Sequence, residues 1–541
     1  MASWTDVLFA TCSGLLLYFL VNLYRARASF YRGKVKKGLP MPRWDPIFGH
    51  LLVMDETFRK YRLPPDVQRP DIFTAISREF DDKSESAFYL DLWPFINPLL
   101  ITCSPHHGIQ TTQNHELNKP DDLVPFLHPI TGGNSFFSIN GDEWKHARAI
   151  FASGFNTNYI LNQTEHIIQE AEVYVDVLKE YATKGDICLL NEVTVRYTMD
   201  ISGALTLNKR LHAQRGGDAL VSAMRNTLDW HFLGELRTPL VRWSPLIRLI
   251  AWYNGRKMNH YIAAELDKRF TEWKSGAVSP SANRTAIDLA IADYLSKRKD
   301  KAEEDRLDPD FKDWAVVQLR MLFFVAHDST SATICYIFYL LSKNATALQK
   351  LRDEHEQVLG TKLADVPNLL REQPQLLNKL PYTTAVIKET LRIFPPASGF
   401  RIGKPGVDLE DDDGSRYPTE DTRVWVLHSR LHNHPKYWKD PEIFTPERWL
   451  VGPEDPLYPR RGAWRPFEFG PRNCLGQALS MLDLKVTLCM TARRFDINDA
   501  YDEWDKLKGI TRVRTFFGER AYQCGNGGGR SAPCGWVSMP D

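Results

Sequence analysis

The stretch RPFEFGPRNCLGQALS, residues 465–480, places one cysteine between two glycines at the start of an apolar segment. Gly470 and Gly476 permit backbone conformations that other residues resist, so they allow a tight turn around Cys474. The following segment, GQALSMLDLKVTLCMTARRF, has apolar residues at helical spacing. A cysteine before a helix is stabilised as a thiolate by the exposed backbone N–H groups and the helix dipole, and Arg472 adds positive charge nearby.

A thiolate in such a frame serves either as a nucleophile or as a metal ligand. A nucleophile needs a base within reach, and none lies nearby in the sequence, although a distant histidine can supply one. Structural zinc sites and iron–sulfur clusters need several ligands, whereas the eight cysteines of this chain are scattered. One thiolate suffices for haem iron, because the porphyrin supplies four further ligands. Cys524 and Cys534 flank a glycine-rich loop and can form a disulfide in an oxidising compartment.

Five positions of the opening stretch follow the pattern FxxGxRxCxG, namely Phe467, Gly470, Arg472, Cys474 and Gly476. In this pattern the chain resembles the haem-thiolate monooxygenases of the cytochrome P450 superfamily. The resemblance implies haem b as the cofactor, with Cys474 as the axial ligand of its iron. It also implies the cytochrome P450 fold, mainly α with a smaller β portion, preceded by one N-terminal transmembrane helix.

Further motifs of the same family follow in its chain order. Glu389 and Arg392 in KETLR match the family's ExxR, and FTPERW supplies Arg448. Glu389 and Arg392 are three residues apart, so they share one helix face. The resemblance implies that they form, with Arg448, a charge network that holds the haem-binding core together.

The resemblance also implies residues that bind the haem propionates. Trp144 and Arg148 in GDEWKHAR are four residues apart and look like the family's WxxxR. An arginine suits this role because its guanidinium is permanently charged and binds a carboxylate through two N–H groups. Arg472 and Arg401, the latter in PPASGFR, look like further propionate partners.

VAHDSTS, residues 325–331, looks like the family's oxygen-activating segment. Cleavage of the O–O bond needs protons, and an acid with a hydroxyl at a distortion in a buried helix can relay them from water. Asp328 matches the acid, Ser329 stands where the family usually has threonine, and Thr330 follows with a second hydroxyl able to substitute for it. Val325 and Ala326 replace the family's small pair.

Apolar spacing predicts a mostly helical body. Residues 162–185 and 380–396 predict helices, ended by Gly185 and by Pro395 respectively. Residues 308–344 predict one long helix, which is either a second membrane span or, since polar residues 327–331 interrupt it, the central helix of a large domain. Residues 422–431 and 510–519 predict strands, and residues 295–310 a flexible loop.

The N-terminus carries an uncharged run from Val7 to Tyr24, which as a helix spans ~27 Å, close to the thickness of a bilayer's hydrocarbon core. Basic residues follow it, which places the C-terminal side in the cytosol. We interpret the run as an uncleaved anchor; the alternatives are a signal peptide and a buried core helix. The proline-rich segment after it predicts a stiff hinge. The predicted division is 1–24 membrane anchor, 25–49 basic and proline-rich hinge, and 50–541 catalytic domain.

Composition narrows the class of partner. Lys and Arg number 68 and Asp and Glu 67, so the near-neutral chain lacks the charge typical of a nucleic-acid-binding protein. Substrate contacts are expected from residues 121–138, from residues 230–253 and from the long helix that the resemblance places above the haem. In residues 230–253, Trp252 and Tyr253, with Phe232 and Trp243, belong either to a lipid-touching substrate channel or to core helices.

Three functions remain open at this point. The first is a monooxygenase, anchored in the endoplasmic reticulum membrane with a cytosolic catalytic domain, that inserts one atom of O2 into an apolar substrate. Because no flavin or nicotinamide domain follows the cysteine motif, NADPH–cytochrome P450 reductase is the expected electron donor. The second is a haem-thiolate isomerase or dehydratase that needs no reductase, and the third is a non-catalytic haem sensor. GPRNCLGQALS is similar to fungal members, which implies secondary metabolism or, alternatively, hydroxylation of fatty acids or alkanes.

Overall fold

Helices make up most of the chain in the computed structural model, which describes residues 3–83, 86–155, 160–161, 163–231, 244–277, 285–297, 306–511, 513–522 and 534–538. The helices are α1 Trp4–Gly33, α2 Leu51–Lys60, α3 Arg69–Ser77, α4 Pro105–Ile109, α5 Leu123–Thr131, α6 Gly141–Ala152, α7 Thr164–Lys184, α8 Leu190–Leu207, α9 Ala219–Trp230, α10 Pro245–Lys274, α11 Ala286–Lys297, α12 Pro309–Lys343, α13 Ala345–Leu359, α14 Val366–Glu372, α15 Pro381–Ile393, α16 His428–Leu431, α17 Gln477–Thr491 and α18 Tyr501–Lys508.

The strands are short. They are β1 Ala87–Leu90, β2 Leu99–Thr102, β3 Cys188–Leu189, β4 Phe400–Ile402, β5 Asp408–Glu410, β6 Arg416–Pro418, β7 Arg423–Val426, β8 Asp496–Asp499 and β9 Cys534–Ser538. They form a four-stranded sheet in the order β1-β2-β7-β4, a three-stranded sheet β3-β9-β8 and the hairpin β5-β6. The prediction of a mainly α chain with a smaller β portion is therefore confirmed.

Two structural units divide the chain. Unit 1 comprises residues 1–64, 70–120 and 398–431, and unit 2 comprises residues 65–69, 121–397 and 432–541. Unit 1 contains the four-stranded sheet, in which β2 pairs in parallel with β7 while the other pairs are antiparallel. Unit 2 contains most of the helices and all of the predicted site residues except Arg401.

The N-terminal helix α1 is long and apolar enough to cross a membrane, but it does not end where the anchor was predicted to end. It runs on to Gly33, so residues 25–33 of the predicted hinge are helical. Phe30 is buried with Tyr89, Leu100 and Val424, and Trp44 packs against the same cluster. The end of α1 and the proline segment both pack into unit 1, and the role of residues 25–49 as a hinge stays a prediction.

The central helix α12 confirms one of the two interpretations offered for residues 308–344. In its most apolar window 72% of the residues are buried, against 0% in the window of α1. Asp308 caps its first turn by accepting from the N–H groups of Asp310 and Phe311, at 3.0 and 3.4 Å, and Pro309 occupies the first helical position. α12 is thus a core helix of unit 2.

The predicted ends of the helices agree with the structure more closely than the predicted strands do. α7 ends against Gly185, whose φ of +67° is in the left-handed region that glycine favours, and α15 ends one residue before Phe394-Pro395. Residues 422–431 hold both a strand and a helix, since β7 ends at Val426 and α16 follows. The strand predicted over 510–519 is wrong: in its described residues, 510–511 and 513–519, only a single bridge joins Phe516 to Glu519.

Other expectations meet the structure only in part. Trp252 and Tyr253 on α10 are 57% and 53% exposed, so these two side chains lie outside the core, to which α10 contributes Met258, Ile262, Leu266 and Phe270. Phe232, Trp243 and Cys524 lie outside the described residues. Half of the loop predicted at 295–310, residues 298–305, also lies outside them, while residues 295–297 belong to α11 and 309–310 to α12.

Candidate functional site

The turn before α17 presents the Cys474 side chain. The N–H of Cys474 donates to the carbonyl of Phe467 at 2.8 Å, and Gly470 within the turn has a φ of +80°, which only glycine adopts readily. Arg465 forms a salt bridge with Glu468 at 2.6 Å across the same turn. The rings of Phe467 and Trp464 pack edge to face, with their centroids 6.0 Å apart, at the start of the turn.

The thiol of Cys474 is accessible to solvent although protein surrounds it on most sides. Burial raises the pKa of the thiol, while the N–H groups of Gly476 and Gln477 and the charge of Arg148 act in the opposite direction. A Cβ atom at Gly476 would lie 3.9 Å from the sulfur, an ordinary contact distance, so Gly476 borders the thiol. A bound cation would complete the stabilisation of the thiolate, because the protein groups alone do not lower its pKa below the ordinary value.

Three predicted propionate partners converge next to this turn. Arg148 donates to the carbonyl and the side-chain oxygen of Asn473, at 2.9 and 2.6 Å. Arg472 donates to the carbonyl of Ile139 and lies over the Trp144 ring, 4.1 Å from its centroid. The structure therefore brings Trp144, Arg148 and Arg472 together with Cys474, although α6 is more than 300 residues away along the chain.

The donor set of this cluster fits haem b. Among the described residues no acidic side chain pairs with Arg148, and the charge that most affects its pKa, after the lowering by burial, is that of Cys474. A guanidinium without a carboxylate partner can bind a haem carboxylate, and a single accessible thiol beside it can bind the iron of the same haem. Arg148, Arg472 and Trp144 would hold the carboxylates, and Cys474 would be the iron ligand.

Arg401 belongs to unit 1. It lies buried on β4, and its Nη1 donates to the carbonyl of Phe400 at 3.2 Å. A Cβ atom at Gly399 would meet Arg401 Nη1 at 3.2 Å and Lys119 Nζ at 3.3 Å, so two cationic side chains enclose this glycine. A contact between Arg401 and a haem propionate stays a prediction.

The Glu389 carboxylate joins the three predicted network residues. It pairs with Arg392 at 2.8 Å and with Arg448 at 3.0 Å, and all three side chains are fully buried. Trp449 and the N–H of Thr445 also donate to it, at 3.0 and 3.1 Å. Arg392 donates further to the carbonyls of His432, Pro441 and Ile443.

The polar segment of α12 forms no distortion. The helix is continuous from Pro309 to Lys343, contrary to expectation, because neither Val325 nor Ala326 is a glycine that would weaken its hydrogen bonding. The hydroxyls of Ser331 and Thr333 bond to carbonyls of the preceding turn, at 2.9 and 2.8 Å.

Asp328, Ser329 and Thr330 do not share one environment. Asp328 and Ser329 are half-buried, on the face of α12 where Val325 is also accessible. Thr330 is buried, and its hydroxyl meets that of Ser480 on α17 at 3.2 Å. This contact brings the middle of α12 against the first turns of α17, the helix that begins three residues after Cys474.

Sequence reasoning missed several residues of this region. Asn473 holds Arg148, Trp449 donates to Glu389, and Ser480 contacts Thr330. Asn473 and Trp449 each adjoin a predicted residue, so their position next to a motif was the available signal. Nothing in the local pattern distinguishes Ser480, because its partner lies 150 residues away.

Comparison with known proteins assigns the family. The model of the family described as "Cytochrome P450" matches residues 98–514. The chain is 37% identical to the cytochrome P450 monooxygenase polC of Polytolypa hystricis, over 97% of this chain and 93% of that protein. It is 30% identical to the cytochrome P450 monooxygenase acrF of Aspergillus aculeatus, over 85% of this chain and 95% of that protein.

The fold agrees with a solved structure. The crystal structure of the cytochrome P450DA heme domain superposes with a TM-score of 0.70 at 16% identity, covering 93% of this chain and 97% of that one. With a family model over residues 98–514 and fungal relatives along nearly its whole length, the chain belongs to the cytochrome P450 family and is a monooxygenase.

Proposed function

We propose that the protein is a haem-thiolate monooxygenase of fungal secondary metabolism that inserts one atom of O2 into an apolar small molecule. Its electrons come from NADPH through a separate NADPH–cytochrome P450 reductase. The observation that carries the proposal is the accessible Cys474 thiol beside Arg148, a cation without an acidic partner among the described residues. The fungal relatives named monooxygenases support the metabolic setting.

Haem b, when bound, supplies the iron at which O2 is reduced and from which one oxygen atom passes to the substrate. Cys474 contributes the thiolate, held by the N–H groups of Gly476 and Gln477. Arg148 and Arg472 orient the carboxylates, with the Trp144 ring stacked against Arg472. Asn473 keeps Arg148 in place through two hydrogen bonds.

Asp328 and Ser329 are the proposed proton carriers. Ser329 forms no hydrogen bond through its hydroxyl to the described residues, whereas the hydroxyls of Thr330, Ser331 and Thr333 are engaged. A hydroxyl without a fixed partner on an accessible helix face can pass a proton from the Asp328 carboxyl or from water to the reacting oxygen. Thr330 would then be a structural contact rather than a carrier.

An apolar substrate suits the same helix face. Val325 is exposed on the face of α12 that carries Asp328 and Ser329, and Phe324 and Ala326 beside it are partly accessible. Apolar side chains that remain accessible inside a protein are available to bury an apolar ligand. Anchoring by α1 in the endoplasmic reticulum membrane would place the enzyme where apolar molecules partition.

The identity of the iron ligand can be tested by spectroscopy. Reduced protein in the presence of CO should show the red-shifted absorption band of thiolate-bound haem. Cys474→Ser should lose the band, while Cys489→Ser should keep it, because Cys489 is buried and its sulfur lies 4.0 Å from His355 Nε2. Loss of the band in a folded Cys489→Ser variant would contradict the assignment.

The reaction can be tested by co-expression with a reductase and supply of candidate polyketides, terpenoids, fatty acids and alkanes. Mass spectrometry should find a product heavier by one oxygen atom, formed only with NADPH and the reductase. Product formation without either would instead identify a haem-thiolate isomerase or dehydratase. A product only from fatty acids or alkanes would replace the assignment to secondary metabolism.

A further inference from the structure

Four arginine side chains among the described residues are fully buried, and one of them differs from the other three. Three pair with a carboxylate at 2.6–3.0 Å: Arg392 and Arg448 with Glu389, and Arg465 with Glu468. The fourth, Arg320 on α12, has no acidic partner in the described part of the chain. Burial of a guanidinium is costly unless a negative charge compensates for it, so the charge of Arg320 needs a partner from elsewhere.

The described partners of Arg320 are neutral. Its Nη1 donates to the side-chain oxygen of Asn259 at 2.7 Å, and its Nη2 donates to the carbonyl of Pro129 at 3.0 Å. Its Nε is buried and has no acceptor among the described residues. Burial lowers the pKa of Arg320 to about 10, so the guanidinium is still charged at neutral pH.

Three elements of unit 2 meet at this guanidinium. Pro129 belongs to α5, within residues 121–138, from which substrate contacts are expected, and Asn259 belongs to α10. On α12, Asp328 follows Arg320 by eight residues, about 12 Å along the helix axis. Arg320 therefore lies at the N-terminal end of the α12 segment to which the apolar substrate and the proton carriers are assigned.

Glycines on the two neighbouring elements let the backbone approach Arg320. Gly132, directly after α5, has a φ of +84°, and a Cβ atom there would overlap Arg320 Nη1. A Cβ atom at Gly255 on α10 would lie 4.0 Å from the same nitrogen. Asn254, the residue before Gly255, is buried, and its side-chain nitrogen also has no acceptor among the described residues. Buried donors normally have acceptors, so α10 and α12 each contain a donor whose acceptor is missing.

The missing partner of Arg320 has to be an acceptor with a negative charge. A carboxylate meets both requirements, because it compensates the guanidinium charge and accepts from the free Nε–H. The rest of a ligand that brings this carboxylate has to be apolar, since the accessible side chains further along α12 include Phe324 and Val325.

We infer that the substrate is an apolar carboxylic acid whose carboxylate binds Arg320 and whose oxidised carbon is remote from the acid end. The inference rests on the proposed monooxygenase function and names the class of its substrate. Arg320 is then a specificity-determining residue, which favours an acid over the corresponding alcohol.

The test uses the full-length, haem-loaded protein in phospholipid nanodiscs, with empty nanodiscs as the blank. Labelled probes form two matched pairs, dodecanoic acid with dodecanol and abietic acid with abietinol. Equilibrium dialysis at about pH 8, where both acids are ionised, gives the dissociation constant of each probe.

Three variants are compared with the parent. Asn259→Asp places a carboxylate beside Arg320 Nη1 with almost no change in side-chain size, so the protein itself supplies the missing charge. His260→Asp is the matched control, because it adds the same charge at the next position, which is exposed. Arg320→Gln removes the cation, and Asn259→Asp keeps the test decisive if that variant does not fold.

At least one acid should bind the parent about 10-fold more tightly than its alcohol. Asn259→Asp and Arg320→Gln should abolish this preference without weakening the binding of the alcohol, whereas His260→Asp should retain it. Equal binding of acid and alcohol in both pairs, or a preference that survives in Asn259→Asp, would overturn the inference.

The CO-bound absorption spectrum of the same preparation separates this inference from the proposed function. A thiolate-type band without a preference for either acid would overturn the substrate class and leave the monooxygenase intact. Absence of the band would overturn the proposed function and the inference together.

Discussion

Two charged clusters of unit 2 differ in how their charges are satisfied. Around Glu389 a single carboxylate receives Arg392, Arg448, Trp449 and a backbone N–H, and the three charged side chains are fully buried. Around Cys474 the Arg148 guanidinium bonds, among the residues that the structure describes, only to the neutral Asn473, and the thiol is accessible.

The difference separates a structural role from a ligand-binding one. The Glu389 carboxylate has no capacity left for a ligand, because its two oxygens already accept from four groups. Arg148 and Cys474 retain such capacity, and the chain supplies no acid to fill it among the described residues. Both clusters carry family motifs, so the motifs alone do not distinguish the two roles.

The largest effect is expected on protein stability, when the cluster around Glu389 loses its carboxylate. Glu389→Gln leaves two buried guanidinium groups without a carboxylate, which should lower the free energy of unfolding by ~3–5 kcal/mol. Chemical denaturation monitored by circular dichroism measures the loss. Glu447→Gln is the control, since its pair with Lys350 is half-exposed and is worth less than ~1 kcal/mol. Equal losses in the two variants would contradict the comparison.

Substitution of the half-buried acid Asp328 should affect the reaction rather than the fold. Asp328→Asn should slow NADPH consumption by about 10²-fold, because a general acid typically contributes that much or more. Ser329→Ala should divert electrons to hydrogen peroxide, measured as peroxide formed per NADPH consumed.

Thr330→Val is the matched control for Ser329→Ala. Its hydroxyl contacts Ser480, so the ratio of peroxide to NADPH should stay near that of the parent. The proposed relay would be wrong if Thr330→Val released peroxide and Ser329→Ala did not.

Asp483 offers a third case, a buried acid whose carboxyl accepts hydrogen bonds from two hydroxyl groups and, within the described part of the chain, forms no salt bridge. Tyr197 and Thr487 donate to it at 3.0 and 3.3 Å, and burial raises its pKa to about 7. An unfolded chain releases this proton near pH 4, so the stability that the protonated form contributes is present below about pH 4 and is lost as pH rises to about 7.

Asp483→Asn should therefore raise the free energy of unfolding by about 2 kcal/mol at pH 8, after the cost of an unpaired amide group. The gain should disappear near pH 4. Urea denaturation at several pH values measures both quantities, and a gain that does not depend on pH would argue against a proton at this site.

The smallest effect is expected at the cluster around Cys474, on the retention of haem. Arg148→Gln removes a proposed carboxylate partner and should weaken haem retention about 10-fold, or about 1.4 kcal/mol, without altering the stability of the haem-free protein. Transfer of haem to an excess of apomyoglobin measures retention. Lys145→Gln, an exposed change on the same helix, should leave it unaltered.

Local patterns predicted much of the fold. α7 ends against Gly185 and α15 before Pro395 because a left-handed glycine and a proline each end a helix whatever surrounds it. The strand predicted over 510–519 failed, since strand formation depends on a partner strand that the segment itself does not specify. The packing of the proline segment could not be predicted for a related reason: prolines exclude a helix but do not specify which residues the segment contacts.

The sequence by itself determined the family, the position of Cys474 in a glycine turn, and the pairing of Glu389 with Arg392, because these depend on residues a few positions apart. Tertiary structure decided which face of α12 is accessible, that Thr330 meets Ser480, and that Arg148 meets Asn473. It also decided that Arg27 donates to the carbonyls of Ile47 and Trp93. Each of these contacts joins segments far apart in the chain, and their choice depends on the packing of whole elements, which no local spacing records.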